Sequence, residues 1–165
     1  MTDRPIRVLF VCTGNSARSL LAEALVRQKG GADFDVHSAG TDPREVNPLT
    51  LQVLSEARID ASLARSKSVE EFAGQSFDYV VTVCDQARQV CPVFPGAHES
   101  LHWGYEDPAE AGGTDEERLA VFRRVFIQIG ERINQFVPLA LRERRERLET
   151  AFATTDAPPG SFTGT

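Results

Sequence analysis

Cys12 and Arg18 bracket a small polar stretch, Thr13-Gly14-Asn15-Ser16-Ala17. The apolar run Val8-Leu9-Phe10-Val11 precedes it, and Ser19 to Gln28 follows with Leu21, Ala24, Leu25 and Gln28 at helical spacing. A strand that feeds a short loop and then a helix makes a cradle for a tetrahedral oxyanion. The backbone amides of Thr13, Gly14, Asn15, Ser16 and Ala17 and the helix N-terminus point donors to one place. Arg18 adds a planar fork of donors and a permanent charge. The same field is expected to favour Cys12 as a thiolate, the nucleophilic form. One segment then supplies both the anion site and the attacking atom. The bare Cys-x5-Arg spacing is a weak signal in an arginine-rich chain with three cysteines. Its weight comes from the strand before it and the hydroxyl of Ser19 at the helix start. A Cys12 that merely fills a strand end as a small hydrophobe leaves that context unexplained.

Two further thiols, Cys84 and Cys91, have no second Cys or His pair at zinc-ligand spacing, so no metal centre is expected. Alone, each reads equally well as a small buried residue; beside a reactive Cys12, three thiols suggest a redox relay. His37, His98 and His102 match no metal motif and read as structural or surface residues. Asp107, in Glu106-Asp107-Pro108, falls in a loop after the last expected strand. There a carboxyl can face Cys12 as a general acid, although an aspartate before proline is also an ordinary turn residue.

The elements that must position these groups can be read from periodicity and turn chemistry. Strands are expected at Ile6 to Val11, Phe34 to Ser38, Phe77 to Cys84 and Ser100 to Trp103. Helices are expected at Ser19 to Gln28, ended by Gly30-Gly31; after the Asn47 cap with Pro48 at its first position; after Ser68, with Glu71 in a capping-box position; and after Thr114, with Glu117 reciprocal to it. Leu119, Phe122, Phe126, Ile129 and Ile133 should line the buried face of the last helix, and Pro138 should kink or end it. The alternation predicts an α/β domain: a four-stranded parallel sheet with helices on both faces and ligands outside the carboxyl ends of the strands. Cys12 and Cys84 both fall at such ends. Residues 1–150 read as one catalytic domain with its core at about 6–137, and 151–165 as a disordered tail.

The 165 residues carry a formal net charge of −6, which argues against nucleic acid as a partner. No apolar stretch is long enough to span a bilayer. The polar start, Met1 to Arg7, does not read as a secretory leader, so a reducing, cytoplasmic setting is expected, where thiols are more often catalytic than structural.

The fold order, Cys12-x5-Arg18-Ser19 and Asp107-Pro108 together resemble the low-molecular-weight protein tyrosine phosphatase superfamily over about residues 6–137. More narrowly, Asn15-Ser16-Ala17-Arg18-Ser19, His37-Ser38-Ala39-Gly40, Val46-Asn47-Pro48 and Thr82-Val83-Cys84-Asp85 through Cys91-Pro92-Val93-Phe94-Pro95-Gly96 are similar to the thioredoxin-coupled arsenate reductases built on that fold. The Cys84/Cys91 pair is the most specific of these, because a phosphatase needs only Cys12. Ala109 departs from phosphatases of this fold, which usually carry an aromatic residue after Asp-Pro. Some reductases of this kind hold potassium beside the loop. Asn15 and Ser38 match two ligand positions, but Arg65 and Lys67 stand near where neutral or acidic ligands would be, so the Lys67 ammonium is the candidate substitute.

The resemblance implies a mechanism. Loop amides and Arg18 hold arsenate, with phosphate or sulfate as competing oxyanions. Cys12, hydrogen-bonded by Ser19, attacks arsenic while Asp107 protonates the departing oxygen. Cys84 then forms Cys12–Cys84, Cys91 forms Cys84–Cys91, and thioredoxin reduces the last; no cofactor is implied. The competing readings are a tyrosine phosphatase using Cys12, Arg18 and Asp107 with incidental cysteines, and a non-enzymatic oxyanion-binding or redox-sensing module.

Overall fold

The computed structural model describes residues 4–96 and 98–155. Four strands, β1 (Ile6–Cys12), β2 (Phe34–Gly40), β3 (Tyr79–Thr82) and β4 (Glu99–His102), form one parallel sheet in the order β2-β1-β3-β4. β1 is central, and its unbroken apolar run from Val8 to Val11 is fully buried, as a strand covered on both faces requires. After β2 the chain crosses over β1 to reach β3, so connections leave the carboxyl ends of β1 and β3 in different directions. The crevice between them is the natural ligand position in an open parallel sheet. Cys12 ends β1, and Cys84 lies just beyond β3.

Among the described residues four α-helices pack around the sheet: α1 (Arg18–Gly30), α2 (Pro48–Glu56), α3 (Asp85–Val90) and α4 (Asp115–Thr155). Phe10, Phe34, Tyr79 and Trp103 meet α4 in a chain of tilted and edge-on ring contacts centred on Phe136. On the opposite face, His37 and Phe77 pack against Phe72 from the short 3-10 helix Val69–Phe72, and Phe77 meets Phe94. The expected caps are present. Asn47 accepts from the Leu49 amide with Pro48 at the first helical position, and Thr114 Oγ1 accepts from the Glu117 amide. Ser68 caps its helix through the Glu70 amide, whereas Glu71 turns outward to Arg65.

Several expectations are corrected. α1 does not bury only the spaced residues Leu21, Ala24, Leu25 and Gln28: every residue from Arg18 to Val26 is buried and Gln28 is exposed, because α1 is enclosed by the sheet, α2 and α4. Val125, rather than Phe126, takes the fully buried position on α4. Pro138 does not end α4. It faces solvent, while Phe136, Val137 and Ala140 are buried around it and hold the helix across the missing hydrogen bond. Residues 139–150 are therefore helical, and so are 151–155, the start of the expected tail; the rest of that tail, 156–165, lies outside the described residues. The ladder of β3 is shorter than expected, which leaves Val83 and Cys84 to form the turn into α3.

Gly40 is the register partner of Cys12 and sits against the loop that follows it. A Cβ at position 40 would lie 2.6 Å from the Thr13 carbonyl oxygen and 3.0 Å from the Asn15 amide nitrogen. Backbone atoms cannot rotate away as a side-chain tip can. Gly40→Ala is therefore expected to destabilise the fold by about 1–3 kcal/mol, read as a lowered midpoint in urea unfolding. A loss under about 0.5 kcal/mol would show that the strand end shifts freely.

Candidate active site

The loop from Cys12 to Arg18 is fixed from outside by its carbonyl groups. Cys12 O accepts from the Thr41 amide at 3.0 Å, Thr13 O from Asp42 at 2.9 Å, Gly14 O from Arg44 at 2.9 Å and Ser16 O from Asn47 at 3.1 Å. Ser66 Oγ adds a second bond to Gly14 O, and Thr50 Oγ1 one to Ser16 O. With the acceptors tied outward, the amides are left to face the crevice. Among the described residues no protein acceptor takes the Gly14, Ser16 or Ala17 N–H. Asn15 turns the chain at φ 48°, a left-handed conformation that asparagine tolerates. Ala17, the N-cap of α1, supplies no capping side chain, so the first turn of a buried helix opens toward the same point.

A relay of hydrogen bonds ends on the Cys12 sulfur. Asn15 Nδ2 donates to Ser19 Oγ at 2.7 Å, which leaves the Ser19 hydroxyl proton free to point at Cys12 Sγ, 2.8 Å away. The Asn15 amide reaches the same sulfur at 3.1 Å. Burial nevertheless pushes the Cys12 thiol above its ordinary range, and the Ser19 and Asn15 hydrogen bonds and the Arg18 charge offset this only in part. The loop thus aims donors at the sulfur as expected, while enclosure outweighs the field expected to favour the thiolate.

Arg18, itself 9% exposed, is held by Nη1 donating to Tyr105 O at 2.9 Å, and its Nη2 lies 3.4 Å from Asp107 Oδ2. Asp107 takes the turn position expected of an aspartate before proline, and its other carboxylate oxygen pairs with Arg18. Oδ1 accepts from the Ala109 amide at the start of the 3-10 helix Pro108–Glu110, and Oδ2 faces Arg18 in the crevice. The crevice is a cleft of about 440 Å³ lined by Cys12, Thr13, Gly14, Ser16, Ala17, Arg18, Cys84 and Asp107, with Arg44 and Glu110 at its wall. Cys84 is buried, and its sulfur lies 3.3 Å from Thr13 Oγ1 and accepts from the Ala87 amide at 3.4 Å. Cys91 is not brought there. It is half-buried at the far end of α3, lines a separate hollow with Thr82, Leu101 and His102, and has its thiol raised by burial. All three cysteines are free thiols.

Behind the loop lies a buried charge cluster. Glu23, from the enclosed part of α1, accepts from Ser38 Oγ at 2.5 Å and from Arg27 at 3.0 Å, and lies 3.7 Å from the Lys67 Nζ. Lys67 Nζ also donates to Arg65 O at 2.7 Å and to Ser38 Oγ at 3.3 Å, and its amide donates to Asn15 Oδ1 at 2.8 Å. Burial lowers the Lys67 pKa, and Glu23 opposes this. Sequence reasoning missed Glu23, although a lone carboxylate within Leu20-Leu21-Ala22-Glu23-Ala24-Leu25-Val26 is the signal that could have found it. No group of three His, Cys, Asp or Glu that could hold a metal occurs among the described residues, and no described helix is long and apolar enough to cross a membrane.

Removing one donor to the sulfur while burial stays unchanged moves the thiol further upward. In Ser19→Ala, the pH midpoint for iodoacetamide alkylation of Cys12, followed by mass spectrometry, is expected to rise. An unchanged midpoint would mean that the Ser19 proton is not directed at the sulfur.

Residues 7–148 match the family described as low molecular weight phosphotyrosine protein phosphatase. A protein of Halalkalibacterium halodurans named arsenate reductase is 46% identical over 129 residues, which cover 78% of this chain and 93% of that protein. A thioredoxin-dependent arsenate reductase of Corynebacterium glutamicum has a similar structure, with a TM-score of 0.64 at 30% identity; the match covers 85% of this chain and 65% of that one, so this chain spans about two thirds of its length. A low molecular weight protein tyrosine phosphatase of T. tengcongensis matches with a TM-score of 0.65 at 26% identity, over 81% of this chain and 98% of that one. This chain therefore belongs to the low molecular weight phosphotyrosine protein phosphatase family, a family of enzymes.

Proposed function

We propose that this chain is an arsenate reductase in which Cys12, Cys84 and Cys91 pass an oxidation outward to a thioredoxin-type dithiol. The observation that carries this reading is the second thiol in the anion cleft: Cys84, within hydrogen-bond reach of Thr13 in the loop itself. Hydrolysis of a phosphate ester has no use for it. The names of the Halalkalibacterium and Corynebacterium proteins support the substrate and the electron donor. Ala109 supports the choice as well, because a methyl group stands where an aromatic wall would flank an aryl phosphate.

Arsenate, like the competing phosphate and sulfate, is held by the loop amides and Arg18. The Cys12 thiolate attacks arsenic, and one arsenate oxygen departs as water with a proton from Asp107. The Cys84 thiolate then attacks the Cys12 sulfur. The new S–S bond forms as the S–As bond breaks, and the electron pair of that bond goes to arsenic, which falls from the +5 to the +3 state and leaves as arsenite. Cys91 next attacks Cys84, which releases Cys12 as thiolate and leaves Cys84–Cys91 for the donor dithiol to reduce.

The last exchange requires motion. Cys84 and Cys91 flank α3, and seven steps of helical rise separate their Cα atoms by roughly 10 Å, whereas a disulfide tolerates about 7 Å at most. The segment must unwind or fold back. α3 buries only Ala87 among its own residues, so little packing resists this. Oxidation makes the segment a redox switch as well as a wall of the cleft.

Lys67 takes the role of a fixed cation beneath the loop. Its ammonium touches Ser38 and its amide holds Asn15, the two positions that match potassium ligands in relatives.

Two results are expected. Cys84→Ser should form no arsenite with thioredoxin, while Cys91→Ser should complete one turnover and stall as Cys12–Cys84, detected by mass spectrometry after one equivalent of arsenate. Sustained turnover by both variants would favour the phosphatase reading, and slow aryl-phosphate hydrolysis that survives in Cys84→Ser is compatible with the relay. Separately, neither activity nor melting temperature should respond to potassium over sodium at matched ionic strength, since the cation is already covalently supplied. A potassium-specific rise in either would overturn the role of Lys67.

A further inference from the structure

His102 has no part in the chemistry above, yet it bridges the chain on both sides of Cys84. It is the last residue of β4 and the register partner of Thr82, the last residue of β3. Its Nδ1 lies 2.7 Å from Thr82 Oγ1, and its Nε2 lies 2.8 Å from Asp85 Oδ1. An imidazole protonated on Nε2 satisfies both contacts: Nε2–H donates to the Asp85 carboxylate, and Nδ1 accepts the single Thr82 hydroxyl proton in preference to Leu101 O, which is farther away at 3.4 Å. Thr82 lies shortly before Cys84 and Asp85 immediately after it, so one ring ties the strand end to the first residue of α3 across the thiol. The backbone reinforces this tie, with the Trp103 amide bonded to Thr82 O at 2.8 Å. Gly104 keeps the space open, since a Cβ there would lie 3.3 Å from His102 Nε2.

Among the described residues no side-chain hydrogen bond ties the other end of α3, where the nearest fixed point is the buried Phe94 packed on Phe77. Val90 is 60% exposed and Val93 is 95% exposed, and Cys91 caps the helix with no capping bond. We propose that His102 is a positioning residue of the relay: through Thr82 and Asp85 it pins the Cys84 end of α3, so that the Cys84 sulfur stays beside Thr13 in the cleft that Cys12 lines and only the Cys91 end travels when the second disulfide forms. The proposal rests on the relay reading. It adds a direction to the motion, because Cys91 comes to a stationary Cys84. The ring also links the two hollows of the molecule, since Asp85 lines the anion cleft while His102 and Cys91 line the other.

The experiment uses the full chain carrying Cys91→Ser, which isolates the first disulfide, and arsenate in single turnover. His102→Ala is expected to slow Cys12–Cys84 formation on the order of tenfold, because loss of alignment acts directly on an intramolecular attack. Alkylation of Cys12 by iodoacetamide should change less than about twofold. Asp85→Ala, at a side chain 88% exposed and therefore safe for folding, should slow the same step. The double variant should be no slower than the slower single, since both remove one bridge. A purely structural role for His102 predicts instead equal slowing of both readouts and additive single effects. An unchanged rate of disulfide formation in both single variants, or additive slowing in the double, overturns the proposal. Failure of the parent Cys91→Ser chain to form Cys12–Cys84 overturns the relay itself, and the pin with it.

Discussion

Everything at the site depends on which way the peptide groups of residues 12–18 face. A loop of this kind can present carbonyl oxygens or amide hydrogens to the crevice, and the two would give opposite electrostatics. Here the choice is made from outside. Successive amides of the segment after β2 take the carbonyls of Cys12, Thr13 and Gly14, and the start of α2 takes that of Ser16. Backbone hydrogen bonds individually add only about 1 kcal/mol of net stability. Leaving several carbonyls unpaired in a buried wall costs more than that for each group, so the orientation is strongly favoured. The cradle is therefore a property of the β2–α2 connection as much as of the loop that carries the cysteine.

The second constraint is the carboxylate of Glu23 inside an enclosed helix. A charge of this kind is tolerated only with partners, and Lys67, Arg27 and Ser38 provide them. The same Lys67 holds Asn15 through its amide, Asn15 feeds Ser19, and Ser19 faces the Cys12 sulfur. A charge pair that contributes little net stability can still set geometry, because each member has one arrangement that satisfies it. The polar wiring behind the loop fixes the Ser19 oxygen, while burial of Cys12 keeps its thiol above the ordinary range.

The residues easiest to read from the sequence are those whose roles are local. Cys12 to Ser19 are contiguous, so strand end, loop and helix start could be recognised together. Asp107 was visible because proline follows it, though its contact with Arg18 was not. Partnerships set by strand register were hidden. His102 meets Thr82 only because β3 and β4 pair in one register, and no spacing in the sequence encodes that. The enclosure of α1 was hidden for a related reason: its partner α4 lies far along the chain, and an apolar stripe with a few polar residues looks the same whether or not a further layer covers it. Pro138 shows the reverse error, in which a local rule is overridden by packing on both sides of the ring.

The length of α4 has a consequence for the whole particle. Its 41 residues span about 60 Å as a helix, whereas a globule of this chain length is roughly 40 Å across. Even with Tyr79 bonded to Glu143 and Arg144 bonded to Asp33 along its flank, the rod is longer than the body to which it is fastened. Its friction in water is then that of an elongated object. Rotation about the rod is faster than end-over-end tumbling, and the sedimentation coefficient falls below that of a sphere of the same mass.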